Sequence, residues 1–398
     1  MQTEDETRNA RTRFHFSPSH LSAGFIAVLV GYTSSAAIVF QAATAGGASA
    51  AELGSWLWAL GIGMGVTCIG LSLRYRSPVL TAWSTPGAAL LVTSLPGIPM
   101  AEAIGAFLFS SALIALCGFS GWFDRIMHRI PAALAAAMLA GVLLRFGLDA
   151  FVALRTDFVL VATMFACYLA GRRLLPRYAI PLTLLVGLVV AAMQGSIHLD
   201  AVTLAVARPV FTAPQFSPAT LIGIGLPLFI VTMASQNLPG LAVMRANGYS
   251  TPASPLIGWT GATGLVFAPF GGFAYNLAAI TAAICMSRDA DPDPARRYLA
   301  SIWAGVFYLL TGVFGATVAG LFAAFPAELV LAIAGFALLG TIGNSLAGAL
   351  ADERAREAAM ITFAVTASGI SLGGIGSAFW GLVLGLLAFA VSGARRKD

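Results

Sequence analysis

Between residues 21 and 392 the chain alternates apolar runs with short loops that carry arginine. Nothing else constrains the fold as strongly. A bilayer-spanning helix needs roughly 20 mostly apolar residues. Fourteen segments meet or approach that length: 21–44, 53–73, 83–95, 100–121, 130–147, 157–171, 178–194, 217–243, 254–269, 274–286, 297–322, 327–349, 357–371 and 374–392. The third and tenth are too short to cross alone. A water-soluble core could not absorb so much apolar surface. The chain is 58% hydrophobic and 10% charged, whereas soluble domains carry about 25% charged residues. The pattern predicts an all-α polytopic membrane protein.

Charge placement tests the count. Cytoplasmic loops are enriched in Lys and Arg. With the N-terminus inside and every segment crossing, the inner loops hold Arg74, Arg76, Arg125, Arg129, Arg172, Arg173, Arg177, Arg245, Arg288, Arg296, Arg297, Arg354 and Arg356. The tails add Arg8, Arg11, Arg13, Arg395, Arg396 and Lys397, which places nineteen of the 22 basic residues inside. Only Arg145, Arg155 and Arg208 fall outside. Both termini are therefore expected in the cytoplasm. Residues 1–19 read as a cytoplasmic tail, because no small-residue cleavage site follows them. Arginine with almost no lysine is a composition of GC-rich bacterial genomes, which points to a bacterial inner (cytoplasmic) membrane.

Several functions lose support at this stage. Net charge is +5, but the basic residues lie scattered between apolar runs, so no nucleic-acid surface is expected. Cys68, Cys117, Cys167 and Cys285 lack CxxC spacing and read as small buried hydrophobes. No metal site or cofactor is expected. No Asp or Glu occupies the centre of a span, and the four histidines are terminal or in loops. An enzyme of the membrane interior would need such groups, so none is expected here, nor any catalytic residue.

Residues 130–144 (IPAALAAAMLAGVLL) and 325–339 (FPAELVLAIAGFALL) agree at six of fifteen positions, at an offset of 195. The same offset pairs Gln41 with Gln236 and sets the third segment against the tenth. Seven segments per half is an odd number, so the second half enters the membrane from the opposite side. Inverted repeats of this kind are an architecture of secondary transporters.

The short segments mark the expected site. Thr81-Ala-Trp-Ser-Thr-Pro-Gly-Ala88 comes before the third and Pro269-Phe-Gly-Gly-Phe-Ala-Tyr-Asn276 before the tenth, each read as extended, Gly/Pro-broken backbone leading into a half-helix. Broken backbone at membrane depth is tolerated only where protein or a water-filled cavity satisfies it. Two half-helices starting near the midplane would present free N–H groups and partial positive charge to an anion; otherwise these stretches are ordinary loops. Polar residues within spans are the second mark: Tyr32, Thr33, Ser34, Ser35 and Gln41 in segment one, Ser235, Gln236 and Asn237 in segment eight, Tyr275 and Asn276 in segment ten, and Thr341, Asn344 and Ser345 in segment twelve. Interhelical hydrogen bonding is their alternative role. Arg145 either snorkels to the interface or attracts an anion.

The run Leu226-Pro-Leu-Phe-Ile-Val-Thr-Met-Ala-Ser-Gln-Asn-Leu-Pro-Gly240 resembles the segment-eight signature of the bacterial benzoate/proton symporter family, of BenE type. Gly31-Tyr-Thr-Ser-Ser-Ala36, Ser84-Thr-Pro-Gly-Ala88 and Gly271-Gly-Phe-Ala-Tyr-Asn276 resemble its other motifs, and the likeness covers residues 18–392. The resemblance implies a fold like that of nucleobase and sulfate-type transporters, with fourteen segments in 7+7 inverted repeats. It implies a core domain of residues 20–122 and 214–323, and a gate domain of residues 123–213 and 324–398. Nucleobase relatives carry acidic residues where this chain has Gln236 and Asn276, a departure that suits an anionic substrate.

The expectation is import of benzoate or a similar aromatic carboxylate with protons, by alternating access. The carboxylate would meet N–H groups near Gly87, Ala88 and Asn276, with Thr85, Pro86, Gln236 and Asn237 beside it. Tyr32, Phe273 and Tyr275 would hold the ring, and Ser34, Ser35 and Gln41 would line the approach. Asn344 and Arg145 are expected at the gate. Partners are the substrate, protons, the bilayer and, as in relatives of this architecture, a homodimer. A symporter of another small organic anion or a nucleobase is the nearest rival, an anion channel a more distant one.

Overall fold

The structure, a computed structural model of the chain, describes residues 17–121, 131–198, 202, 204–372 and 377–394. The first sixteen residues, Arg125, Arg129, Arg395, Arg396 and Lys397 lie outside the described residues. The described chain is almost wholly helical.

The first half comprises α1 (Pro18–Ala45), α2 (Ala50–Tyr75), β1 (Thr81–Trp83), α3 (Thr85–Ser94), α4 (Met100–Phe119), α5 (Ala132–Val152), α6 (Phe158–Leu174) and α7 (Ala179–Met193). The second comprises α8 (residues 218–246), α9 (Ala253–Phe267), β2 (Tyr275–Leu277), α10 (Ile280–Cys285), α11 (Tyr298–Val313), α12 (Gly315–Ala324), α13 (Ala327–Ala351), α14 (Arg356–Ala367) and α15 (Ser377–Ala394). Shifting the first half by 195 residues superposes α1 on α8, α2 on α9, β1 on β2, α3 on α10, α4 on α11, and α5, α6 and α7 on α13, α14 and α15. The repeat seen in one fifteen-residue stretch thus extends over the whole fold.

The two strands sit on the symmetry axis. They pair antiparallel, Ala82 opposite Asn276 and Thr81 opposite Leu277. Under the offset each of these pairs maps onto the other, as an inverted repeat requires. Ala278 N–H donates to Leu80 O at 2.9 Å and continues the ladder. Each half thereby uses the other's unpaired strand to satisfy backbone that no helix serves.

Among the described residues six helices are long and apolar enough to cross a bilayer, and the bent pair of α11 (with its 3-10 lead-in) and α12, taken as one span, makes a seventh. Two segments differ in detail from the expectation. Segment eleven (297–322) is bent: it turns by 69° between Val313 and Gly315. Small residues allow this, because Gly312 and Gly315 lie against the α2 backbone at Gly61 and Gly54 with no room for a Cβ. Segment ten, bounded at 274–286 in the sequence with extended backbone up to Asn276, turns helical later than its bound: Tyr275–Leu277 is strand, and α10 starts at Ile280. Gly271, at φ 92°, turns the chain into that strand where a Cβ would strike the Trp56 ring, a conformation that suits glycine alone.

Proline shapes α8. Five-residue π-turns occupy Leu221–Gly225 and Met233–Asn237. Pro227 and Pro239 each follow by four residues a carbonyl inside one of these turns, at Gly223 and Ser235. A proline has no N–H to give such a carbonyl, so the turn widens. The second widened turn carries the Ser235-Gln236-Asn237 run.

Packing groups the helices in two sets. α1 to α4 pack with α8 to α12, with α2 against α11 and α4 against α9. α5 to α7 pack with α13 to α15, with α5 against α13 and α14. Glycines make the first set close: a Cβ at Gly61 would fall 2.5 Å from Gly312 Cα, and one at Gly118 2.2 Å from Gly258 N. Such contacts substitute tight van der Waals packing for the hydrophobic drive that lipid removes.

Candidate functional site

A cavity of about 520 Å³ lies where the two sets of helices face each other. One wall comes from the strand–helix crossing and its neighbours: Gly31, Ser34 and Ser35 of α1, Ala82 and Trp83 of β1, Thr85 and Pro86 of α3, Ser235, Gln236 and Pro239 of α8, Ala278 to Thr281 before and within α10, and Tyr308 of α11. The opposite wall is Ala132, Ala135, Ala136 and Leu139 of α5 with Ala337, Leu338, Thr341, Asn344 and Ser345 of α13. The volume falls in the range of small-molecule sites.

Local hydrogen bonding decides which groups remain free for a ligand. Ser35 Oγ donates to Gly31 O at 2.8 Å and accepts from Trp83 Nε1 at 2.9 Å. Ser34 Oγ donates to Gly31 O at 3.0 Å, and Ser235 Oγ donates to Val231 O. These hydroxyls mainly fix the walls. Thr85, Gln236, Thr281, Tyr308, Thr341 and Asn344 face the cavity without a side-chain hydrogen bond to any described residue. Behind the polar wall, Tyr32 packs edge-on against Trp83, with ring centroids 4.9 Å apart, and beside Tyr308 at 6.2 Å.

The structure brings together nine of the residues marked in the sequence: Ser34, Ser35, Thr85, Pro86, Ser235, Gln236, Thr341, Asn344 and Ser345. The others lie elsewhere. Gly87 N–H donates to Ser84 Oγ at 3.0 Å and Ala88 N–H to Ser84 O at 2.7 Å. The α3 cap therefore consumes the two donors assigned to an anion, and Pro86 has none, which leaves Thr85 N–H. Asn276 lies in the strand ladder, not at a helix start; its Nδ2 donates to Ala274 O at 3.1 Å. Asn237 is buried beneath the wall, where its Oδ1 accepts from Leu277 N–H at 2.9 Å and so locks α8 to β2. Tyr275 is spent on Ala59 O at 2.6 Å, and Phe273 packs against Trp56 and Phe107. Neither ring lines the cavity, whose most apolar face is Ala132, Ala135, Ala136 and Leu139 of α5. Gln41 is off the lining too. Arg145 points away, 74% exposed and 3.8 Å from Asp149, which fits the snorkelling alternative.

Trp83, Thr281, Tyr308 and the α5 alanines were not singled out from sequence. Thr281 was within reach, being the 195-residue counterpart of Pro86. Tyr308 was within reach as the polar-tipped ring midway along segment eleven. An alanine facing a cavity has no signature that separates it from an alanine facing a helix.

No Asp, Glu, His, Lys or Arg is among the described lining residues, and no group of metal-ligating side chains forms among the described residues. The site offers amides and hydroxyls on both walls and a hydrocarbon face along α5. That chemistry binds a small amphipathic molecule reversibly.

A family model described as benzoate membrane transport protein matches residues 14–391. The inner membrane protein YdcO of Escherichia coli K12 is 53% identical, over 95% of this chain and 97% of its own. The benzoate membrane transport protein of Acinetobacter baylyi is 42% identical, over 94% of this chain and 95% of its own. Among solved structures, the transmembrane domain of the cyanobacterial bicarbonate transporter BicA matches with a TM-score of 0.56 at 13% identity, covering 96% of this chain and 98% of that one. SLC26A9 matches with a TM-score of 0.63 at 10% identity, covering 93% of this chain and 64% of that one. These last two share the fold, the 7+7 inverted repeat.

Proposed function

The chain belongs to the benzoate membrane transport family, and from that premise we propose that it imports benzoate or a similar aromatic carboxylate together with protons by alternating access. It is a multi-pass inner-membrane transporter and not an enzyme. The observation that carries the finer reading is the cavity between the two helix sets, with Thr85, Gln236 and Thr281 on one wall and the apolar face of α5 opposite, beside Thr341, Asn344 and Ser345 of α13.

In this reading residues 20–122 and 214–323 form a core that carries the polar end of the site. Residues 123–213 and 324–398 form a gate that carries the apolar face of α5 together with Thr341, Asn344 and Ser345. Gln236, Thr85 and Thr281 hydrogen-bond the carboxyl group, and the ring lies against Ala135, Ala136 and Leu139. Sliding of the core along the gate would expose the polar end to each side in turn. The lining comes from the N-terminal part of α5 and the C-terminal part of α13. With the N-terminus inside, those are the cytoplasmic halves of the two helices.

Proton coupling follows from electrostatics. An anion entering an inside-negative cell works against about 2.3 kcal/mol per 100 mV. One accompanying proton cancels that charge and lets the pH gradient drive uptake.

Substrate identity is tested by competition. Uptake of labelled benzoate into vesicles should be blocked by unlabelled benzoate and close aromatic acids, and left intact by uracil, sulfate and bicarbonate. Full inhibition by a nucleobase or an inorganic anion, with none by aromatic acids, would move the protein to another substrate class on the same fold.

A further inference from the structure

We propose that the coupling proton is carried by the substrate's own carboxyl group, so that the occupied site holds the neutral acid. This rests on the aromatic-acid reading above and goes beyond it by naming where the proton sits.

The argument begins with what faces the cavity. Its walls come from α1, α2, β1, α3, α5, α8, α10, α11 and α13. Among their described lining residues the one titratable group is the Tyr308 phenol, and the Tyr32 phenol lies behind it. An ordinary phenol titrates near about pH 10, so neither exchanges a proton at neutral pH. Among Asp, Glu, His, Lys and Arg, the buried side chains of the described residues are His20, Asp291 and Arg297. His20 and Asp291 bond each other at 2.7 Å, and Arg297 is spent on the carbonyls of Asp291 and Met286 at 2.8 Å each. None of the three lines the cavity.

A carboxylate moved from water into such a site loses hydration and gains no cation. Burial without a countercharge raises a carboxyl pKa, by up to several units. The hydrogen-bonding inventory points the same way. A carboxylate only accepts, whereas a carboxylic acid accepts at its carbonyl and donates at its hydroxyl. Gln236 and Asn344 each offer an amide N–H₂ and an amide carbonyl, and no described residue bonds either amide. A bound anion accepts from the N–H₂ groups but has no donor for those carbonyls; a bound acid gives one of them an O–H.

The step balances simply. Outside, one proton joins the carboxylate to form an O–H bond. The neutral acid crosses, and in the cytoplasm the same bond breaks to release carboxylate and proton. No protein group changes its protonation, and no net charge moves.

The test is equilibrium binding to the purified full-length protein. Benzoate titrations are run across several pH values above the acid's aqueous pKa, in two buffers of different ionisation enthalpy, with benzamide and benzenesulfonate as competitors. The expected result is an apparent Kd that rises about tenfold per pH unit, close to one proton taken up per benzoate bound, competition by neutral benzamide, and none by the permanently anionic sulfonate. A Kd that does not change with pH, without proton uptake, would overturn the proposal while leaving benzoate as substrate. So would competition by the sulfonate as strong as by benzoate itself. No benzoate binding at any pH, in protein shown to be folded, would overturn both this proposal and the aromatic-acid reading beneath it.

Discussion

Gln236 is the side chain on which the binding account turns. It faces the cavity from a widened helical turn, and no described residue takes its amide. Truncation removes a hydrogen bond worth about 1–1.5 kcal/mol, so Gln236→Ala should weaken benzoate binding by roughly tenfold with the fold intact. Wild-type affinity in that variant, measured by calorimetry, would remove Gln236 from the site. Ala136 makes the opposite test, on the apolar wall. Ala136→Phe should fill the ring's space and abolish benzoate uptake. Its melting temperature should stay close to wild type, because the new ring enters a cavity and does not overpack a core. Uptake at the wild-type rate would show that the ring binds elsewhere. Sequence could point to Gln236, since an amide at membrane depth is costly without a use. It could not point to Ala136, because alanines are so common in these helices.

At the scale of elements, proline and the His20–Asp291 contact make the sharpest predictions. Pro239 frees the Ser235 carbonyl and so holds the π-turn open. Pro239→Ala should let α8 regain regular turns, swing Gln236 off the cavity, and lower transport far more than stability. Unchanged transport would mean that the turn is incidental. At the other end of α1, His20 Nδ1 accepts from Ser17 N–H at 3.1 Å, so Nε2 carries the proton and donates to Asp291 Oδ2 at 2.7 Å. Burial opposes ionisation of Asp291, but the Asp293 N–H, the His20 bond and the nearby Arg296 charge outweigh it and hold its carboxyl below the usual range. A carboxyl with a lowered native value contributes stability that is complete above the ordinary carboxylate range and is lost as pH falls through the lowered value. Thermal stability should therefore drop on acidification below the ordinary carboxylate range, and Asp291→Asn should flatten that dependence. A slope unchanged in Asp291→Asn would place the acid sensitivity elsewhere. These elements were legible in unequal measure. The broken segments announced themselves through Gly and Pro before residues 88 and 276. The start of α10 did not, because pairing with β1 draws Tyr275–Leu277 into a strand, and a partner two hundred residues away leaves no local trace. The bend after Val313 was hidden for a similar reason: glycine packing against α2 makes it, without a proline to signal it.

For the whole molecule, symmetry is what the sequence showed most plainly and the structure extended furthest. A fragment of fifteen residues gave an offset that places every paired element, down to the register of a two-stranded sheet on the axis. The cavity lies beside that axis, where broken backbone from both halves must be satisfied and where two helix sets can slide. Its position was legible in the short segments; its neutral lining was not, because the sequence does not say which polar residues turn inward. The central claim, proton-driven import of an aromatic acid, is tested most directly by labelled benzoate uptake into proteoliposomes under an acid-outside gradient, with and without a protonophore. The account predicts saturable accumulation that the protonophore abolishes. Accumulation indifferent to the proton gradient, or none at all in folded protein, would contradict it.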